Sequence, residues 1–473
     1  MLFTTGKYWI FLTLVFFGYW TVARSRRASV IFLLLASYYF YALWNIKFVS
    51  LLLIISTIDF LTARFIEMSS RARFRKALLS ISILSDIGTL FIFKYFNFFS
   101  SSINHLLEQL HMQTRPFLIQ DLVIPLGLSF ITFRSLSYVI DVYRKTTPAT
   151  KRYLDYLAFV SFFPTLIAGP VVRGRELLPQ LGSNNFESKQ ALDGIFLILL
   201  GLIKKVAIAD LIATNLVDRV FDQPQLYSSI ETLAAIYGYA LQIYFDFSGY
   251  TDVAIGSALL LGIKLPENFY SPYRAQNLRE FWKRWHITLS NWLFDYVYIS
   301  IGGLRKRRFN LYRNLVLTFL IGGLWHGAAW TFLVWGALHG VGLSVNHWWN
   351  SFRKQSRSTT TQSHWIKAVC VLVTFHFVCL TWIVFRADNL QQVLGVLQRL
   401  TAFQFSTGNL PASLAVLLLL AYLSHWIPDR WFAAIKEGWN WLPSPAQAVV
   451  VLSTAFGLYY VSGAEVQFIY GNF

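Results

Sequence analysis

Charge is scarce in this sequence: Asp, Glu, Lys and Arg together make up only 14% of its 473 residues, and only 23 of those are acidic. Soluble globular chains carry about 25% charged residues. With 55% hydrophobic and 18% aromatic residues, the composition excludes an ordinary soluble protein and predicts a polytopic membrane protein. Cysteine is nearly absent. Cys370 and Cys379 share one apolar segment and form neither a disulfide framework nor a metal-ligand cluster. No compact His/Asp/Glu cluster has the spacing of a zinc motif, so no metal is expected. Tandem repeats, Walker or dinucleotide glycine loops and a G-x-S-x-G elbow are also missing. The net charge of +18 comes from short basic clusters between apolar runs. Such clusters fit anionic lipid headgroups and the positive-inside bias, and no nucleic acid is called for.

What stands out against this background is GLWHGAAWTFLVWGALHG, from Gly323 to Gly340, where His326 sits in an apolar stretch. An ionisable residue at membrane depth is costly and usually faces a bundle interior or a water-filled cavity. Read as one helix, the segment places Trp330 a turn after His326 and makes Trp335 and His339 a second such pair. Glycines at 322, 323, 327, 336 and 340 allow close helix approach. The alternative is a histidine bonded to a neighbouring helix for packing alone.

Taken in order, the first apolar run, Tyr8 to Ala23, lacks a small-residue cleavage site and reads as a retained helix. Arg24, Arg26 and Arg27 follow it and belong in the cytoplasm, which puts the N-terminus outside. Spans at about Val30–Trp44 and Val49–Phe65 lead to the basic Arg71–Lys76 stretch. A fourth, about Ala77–Phe99, precedes a polar segment with His105 and His111. A fifth, about Leu122–Val142, ends at Arg144, Lys145, Lys151 and Arg152, again on the cytoplasmic side. Pro164, Gly169 and Pro170 interrupt FFPTLIAGPVVR, predicting a kinked or re-entrant segment. The apolar run from Ile195 to Val217 contains Lys204 and Lys205.

LQIYFDFSGYTDVAIG, Leu241 to Gly256, carries Asp246 and Asp252. Six residues apart, they do not share a helix face as a paired acid and base would, and structural bonding at helix ends is the competing reading. FWKRWHITLSNWLFDYVYISIGG, Phe281 to Gly303, holds Lys283, Arg284, Trp285, His286, Asn291 and Asp295, with RKRR at Arg305 to Arg308. It reads as an amphipathic interfacial segment with its tryptophans among headgroups. The Ser/Thr/Gln-rich residues 350–365 read as an exposed loop. Further spans are expected near Ala368–Phe385, Leu414–Ile427 and Ala446–Val461.

His286 and His326 each stand in a Trp-His dipeptide, some forty residues apart. A neutral imidazole accepts a proton near physiological pH, which is what a hydroxyl needs before it attacks a thioester. His339, His347, His364, His376 and His425 are competitors that read as structural or exposed.

WHITLSNWLFDYVYISIGG followed by GLWHGAAWTFLVWGALHG resembles the core of the membrane-bound O-acyltransferase superfamily. The resemblance is to its bacterial branch, which contains the membrane components of alginate and peptidoglycan O-acetylation and, more distantly, the teichoic acid D-alanyl transfer protein. It extends in order through PLGLSFITFRSLSYVIDVYR, FFPTLIAGPVVR, LQIYFDFSGYTDVAIG and ENFYSPYRAQNLREFWKRWH to WIVFRA at Trp382–Ala387. It implies an all-α polytopic bundle with re-entrant helices and a tunnel, with His326 catalytic and His286 a second active residue. Thr288 replaces the usual serine and keeps a hydroxyl, whereas Arg134 brings a charge to a position where glutamine is expected. Lys283, Arg284, Trp285, Asn291, Asp295, Trp325, Trp330, His339, Asp246 and Asp252 are weaker candidates for donor contact or tunnel lining. The cationic stretch before His326 suits the phosphates of coenzyme A, although such a stretch is also a lipid anchor.

The expected organisation is one integral membrane domain over residues 1–473, with its motif-bearing core at about 124–345. The expected activity is transfer of an acetyl group from acetyl-CoA across a bacterial inner membrane to an extracytoplasmic polysaccharide. A separate serine-hydrolase-like acyltransferase partner, extracytoplasmic or membrane-anchored, is expected to complete the transfer. D-alanyl or other acyl transfer on the same scaffold is the alternative, as is, in another class, a transporter of a small anion or polysaccharide precursor.

Overall fold

The computed structural model describes residues 3–112, 118–119, 122–182, 186–303, 308–354, 363–462 and 469. All regular structure among them is helical. Among the described residues five helices are long and apolar enough to cross a membrane, or six if one bent pair counts as a span. The chain divides into two compact units, residues 1–195 with 254–266, and residues 196–253 with 267–473.

In the first unit the helices Gly6–Val22, Arg26–Asn45 and Lys47–Met68 occupy the first three expected spans. The fourth differs. Its helix runs from Ala72 to Gln109, through a π-type segment at Phe91–Tyr95, so the expected polar segment is helical up to Gln109. Phe99, Ile103 and Leu106 recur at helical spacing on its exposed face. The fifth expected span begins late, at Leu128, because Gly127 adopts φ +67°. A side chain there would collide with the carbonyl oxygen of Leu166.

All three basic loops meet at one end of this unit. Arg26 pairs with Asp155 at 2.7 Å, Arg75 donates to the Tyr143 carbonyl at 2.6 Å, and the Ala149 N–H donates to Glu67 at 3.0 Å. Arg134 explains the irregular segment. The helix Tyr153–Ser161 stops before Pro164, leaving carbonyls without intrahelical partners. The buried Arg134 guanidinium donates to the carbonyls of Phe159 (3.0 Å), Val160 (2.6 Å) and Thr165 (2.8 Å) and to the Thr165 hydroxyl (2.7 Å). A cation at a helix C-terminus is favourable, and the broken backbone is satisfied inside protein.

The second unit is built around the helices Arg308–His326 and Trp330–Lys354. Their contact is lined with glycine: a Cβ on Gly340 would lie 2.7 Å from the Cα of Val316, and one on Gly336 or Gly323 would strike the carbonyl of Phe319 or Phe332. Residues 323–340 are therefore not one helix. The chain breaks at 327–329 and reverses, so the expected one-turn relation between His326 and Trp330 does not hold. Phe281 to Gly303, expected to lie at the membrane interface with its tryptophans among headgroups, instead buries Trp282, Trp285 and Trp292 inside the protein.

The span expected at Leu414–Ile427 is broken as well. A helix ends at Ser424, Pro428 follows, and Asp429–Trp441 leaves at 98°. At 13 residues, Ala412–Ser424 is shorter than a bilayer crossing of about 20. Trp330–Lys354 extends into the expected exposed loop, whose residues 355–362 lie outside the described residues, as do Arg305 to Arg307 and the Arg308 side chain.

Candidate active site

His286 stands at a forced bend. Asn277 caps the short helix Leu278–Trp282 by accepting the Glu280 N–H at 3.0 Å, and the chain then turns at residues 283–286 into the helix Ile287–Trp292. At the turn His286 takes φ +40°, a left-handed conformation that a side-chain-bearing residue adopts at a cost of about 1–3 kcal/mol. Asn268 holds it there. The Asn268 backbone carbonyl accepts the Ile287 N–H at 2.9 Å, and its side-chain oxygen accepts the Thr288 N–H at 3.2 Å and the Thr288 hydroxyl at 2.9 Å. The same oxygen lies 3.0 Å from His286 Nδ1.

Those contacts decide the tautomer. An amide oxygen that accepts from Thr288 also accepts from the ring, so the Nδ1 of a neutral His286 carries the hydrogen and Nε2 is left with its lone pair. Nε2 is buried and has no hydrogen-bond partner among the described residues. The Thr288 hydroxyl, retained where serine was expected, fixes the amide that fixes the histidine.

His326 is the last residue of its helix and is 3% exposed. Its ring contacts Trp325 at 4.8 Å, Trp335 at 5.0 Å and Phe385 at 5.1 Å, all edge-on. The Trp325 indole also meets His286 edge-on at 5.9 Å. One indole thus touches both imidazoles, and Phe247 closes on His286 from another side at 4.7 Å. Two basic nitrogen heterocycles walled by aromatic rings are suited to moving a proton where bulk water is excluded.

The remaining candidates separate clearly. His339 contacts Trp335 at 4.8 Å as expected, but both its nitrogens are engaged: Nδ1 accepts from Trp282 Nε1 at 3.3 Å and Nε2 lies 3.0 Å from the Thr381 hydroxyl. Trp285 stacks on Phe281 at 5.7 Å and meets Trp382 at 5.0 Å. Arg284 is bound to Glu280 at 2.8 Å, Lys283 and Asn291 are exposed, and Asp295 is half-buried. Trp330 is 58% exposed, and Trp335 is the indole against His326.

Asp246 and Asp252 bond to the two lysines of the preceding apolar run, and Asp246 also accepts the Ile469 backbone N–H at 2.9 Å. Asp252 pairs with Lys204 at 2.6 Å and Asp246 with Lys205 at 2.6 Å, while Lys205 also reaches Asp210 at 2.7 Å. Phe247, next to Asp246, is the ring against His286. Asn268, Phe247, Trp382 and Phe385 are the neighbours that the sequence reading missed. All four nonetheless lie in segments that carry the family resemblance: Phe247 in LQIYFDFSGYTDVAIG, Asn268 in ENFYSPYR, and Trp382 and Phe385 in WIVFRA. Among the described residues no group of three or more His, Cys, Asp or Glu could hold a metal ion.

The geometry can be set beside known proteins. The profile of MBOAT, the membrane-bound O-acyltransferase family, matches residues 33–387, which include both histidines. The chain belongs to this family. It is accordingly an acyltransferase and a multi-pass membrane protein. A probable alginate O-acetylase of Pseudomonas aeruginosa is 37% identical over 430 residues, covering 89% of this chain and 80% of that protein. A peptidoglycan O-acetyltransferase of Helicobacter pylori is 38% identical over 429 residues, covering 84% and 79%. A teichoic acid D-alanyltransferase of Bacillus subtilis is 29% identical over 272 residues, covering 55% of this acyltransferase and 68% of its own length.

Proposed function

We propose that this acyltransferase takes an acetyl group from a cytoplasmic thioester, acetyl-CoA, and moves it across a bacterial inner membrane for O-acetylation of an extracytoplasmic polysaccharide. The observation that carries this reading is the meeting of His286 and His326 on Trp325. His326 is the base. It takes the proton of the acceptor hydroxyl as the oxygen attacks the thioester carbonyl. The carbon–sulfur bond breaks, and the departing thiolate recovers the proton from the imidazolium. His286, its Nδ1 tied to Asn268, offers Nε2 as a second acceptor or as a positioning group. The two relatives named for O-acetylation, matched over more than four-fifths of this chain, favour acetyl over D-alanyl, whose bearer is matched over 55%.

The chain acts as a single domain on this reading, with residues 124–345 as its core and a tunnel as the acetyl route. Its N-terminus faces outward. The gathering of the three basic loops at one end of the first unit supports that orientation, because positive loops stay cytoplasmic. A polymer needs an extended site to be held for attack. A serine-hydrolase-like acyltransferase on the outer side supplies that site and receives the acetyl group.

Vesicles holding this protein, with labelled acetyl-CoA inside and polysaccharide outside, test the relay. Little labelled polymer is expected until the partner is added outside. Efficient labelling without the partner overturns the relay, and no labelling with it overturns acetyl transfer across the membrane.

A further inference from the structure

The end of the first unit that gathers the basic loops also contains a cavity of about 430 Å³. Its wall includes Arg26, Arg27 and Val30, from the start of the helix Arg26–Asn45, and Arg152, Tyr153 and Asp155, from the start of the helix Tyr153–Ser161. Two helix N-termini therefore reach one cavity. The N–H groups of a helix's first turn lack intrahelical partners and carry partial positive charge, which favours an anion beside them.

The side chains add to this. Asp155, an acid in the wall, is committed to Arg26 through Nη2–Oδ2 at 2.7 Å and Nη1–Oδ1 at 3.4 Å, so that pair is close to neutral. Arg27 and Arg152 are exposed and have no ion-pair partner among the described residues. Two guanidinium groups are left without a counter-charge, beside one helix start that Ser25 caps by accepting the Ala28 N–H at 3.4 Å and another that carries Asp155 in its first turn. Planar guanidinium forks match the oxygens of a phosphate. The wall is braced by the Tyr153 hydroxyl, 2.6 Å from the hydroxyl of Thr57 on a neighbouring helix. Val30 adds an apolar side at the start of a helix long and apolar enough to cross the bilayer.

We infer that this cavity binds a phosphate group, carried by the headgroup of an anionic phospholipid or by a soluble phosphate compound. The lipid is the better fit. The arginines stand where an apolar helix emerges, the depth at which headgroups lie, and basic pockets between membrane helices recognise such headgroups. The inference depends on neither the acyl-transfer chemistry nor the leaflet involved.

Native mass spectrometry of the full chain, stripped of lipid in detergent, tests it with three probes: phosphatidylglycerol, phosphatidylcholine and inorganic phosphate. Phosphatidylglycerol is expected to be retained about tenfold better than phosphatidylcholine, the size of effect that one or two charge-assisted hydrogen bonds give. The double variant Arg27→Gln, Arg152→Gln should lose that preference, while Arg71→Gln with Arg73→Gln, an equal loss of charge on another basic loop, should keep it. Both replaced side chains are exposed, and the wild-type comparison of lipids stands without them. Inorganic phosphate that binds and displaces phosphatidylglycerol would assign the site to a soluble phosphate. Equal retention of the two lipids with no phosphate binding, or an equal loss in the Arg71/Arg73 variant, overturns the site.

Discussion

His286 and His339 are both fully buried histidines in aromatic surroundings, yet their hydrogen bonds give them different prospects. His339 uses both nitrogens on Trp282 and Thr381. His286 uses one on Asn268 and keeps the other. Replacing His286 with alanine is therefore expected to cut acyl transfer by about 10²–10⁴-fold, the range of a proton-transfer group. Replacing His339 with alanine is expected to leave activity per folded molecule within a few-fold. It should cost about 1–3 kcal/mol of stability, because the Trp282 N–H loses its acceptor in a buried place. Turnover and detergent melting measured on both variants check the pair, and equal losses of turnover would contradict the distinction.

The histidines were legible in the sequence because an ionisable side chain contrasts with an apolar segment. Phe247 and Phe385 were not, because in a chain that is 18% aromatic one more ring carries no contrast. Asn268 was hidden for another reason: its importance lies in a bond to a residue 18 positions away, across a turn whose left-handed conformation no local pattern announced.

At the scale of elements, glycine decides how closely the helices that carry His326 and Trp335 approach. The sequence showed that these glycines allow close packing, but not that the packing is between the two halves of the same segment. The hydrophobic pattern continues through the break, and residues 327–329 hold no proline to mark it. Gly336→Ala should destabilise the protein by about 1–3 kcal/mol, since the new methyl group meets backbone that cannot rotate away. A melting temperature equal to that of wild type would show that the hairpin has slack. The lysine and aspartate pairs were half legible. Lys204, Lys205, Asp246 and Asp252 each stood out as charges in apolar runs, but which helix faces which is a matter of packing. Arg134 likewise stood out as a charge, and its role became clear only with the broken backbone it satisfies.

For the whole molecule, the order of the early apolar runs was readable, but of the five expected spans only the second, third and fourth are helices long and apolar enough to cross. Span length is set by bilayer thickness, and Gly6–Val22 and Leu128–Tyr143 are 17 and 16 residues long. Where the runs bend, as at Ser424, depended on a proline beyond an otherwise suitable segment. The gathering of the basic loops predicts an outward N-terminus. An impermeant thiol reagent applied to intact cells should label a cysteine placed at Thr4 and spare one placed at Ala72. Labelling at Ala72 with protection at Thr4 would reverse the orientation.

The central claim, that His326 performs acyl transfer from a thioester, has a direct measurement: release of free coenzyme A by the purified protein given acetyl-CoA and an acceptor, for wild type and for His326→Ala. The variant should stay folded, because it loses a base rather than a large packing group, and its release should fall to background. Release at the wild-type rate by a well-folded His326→Ala protein would contradict the account.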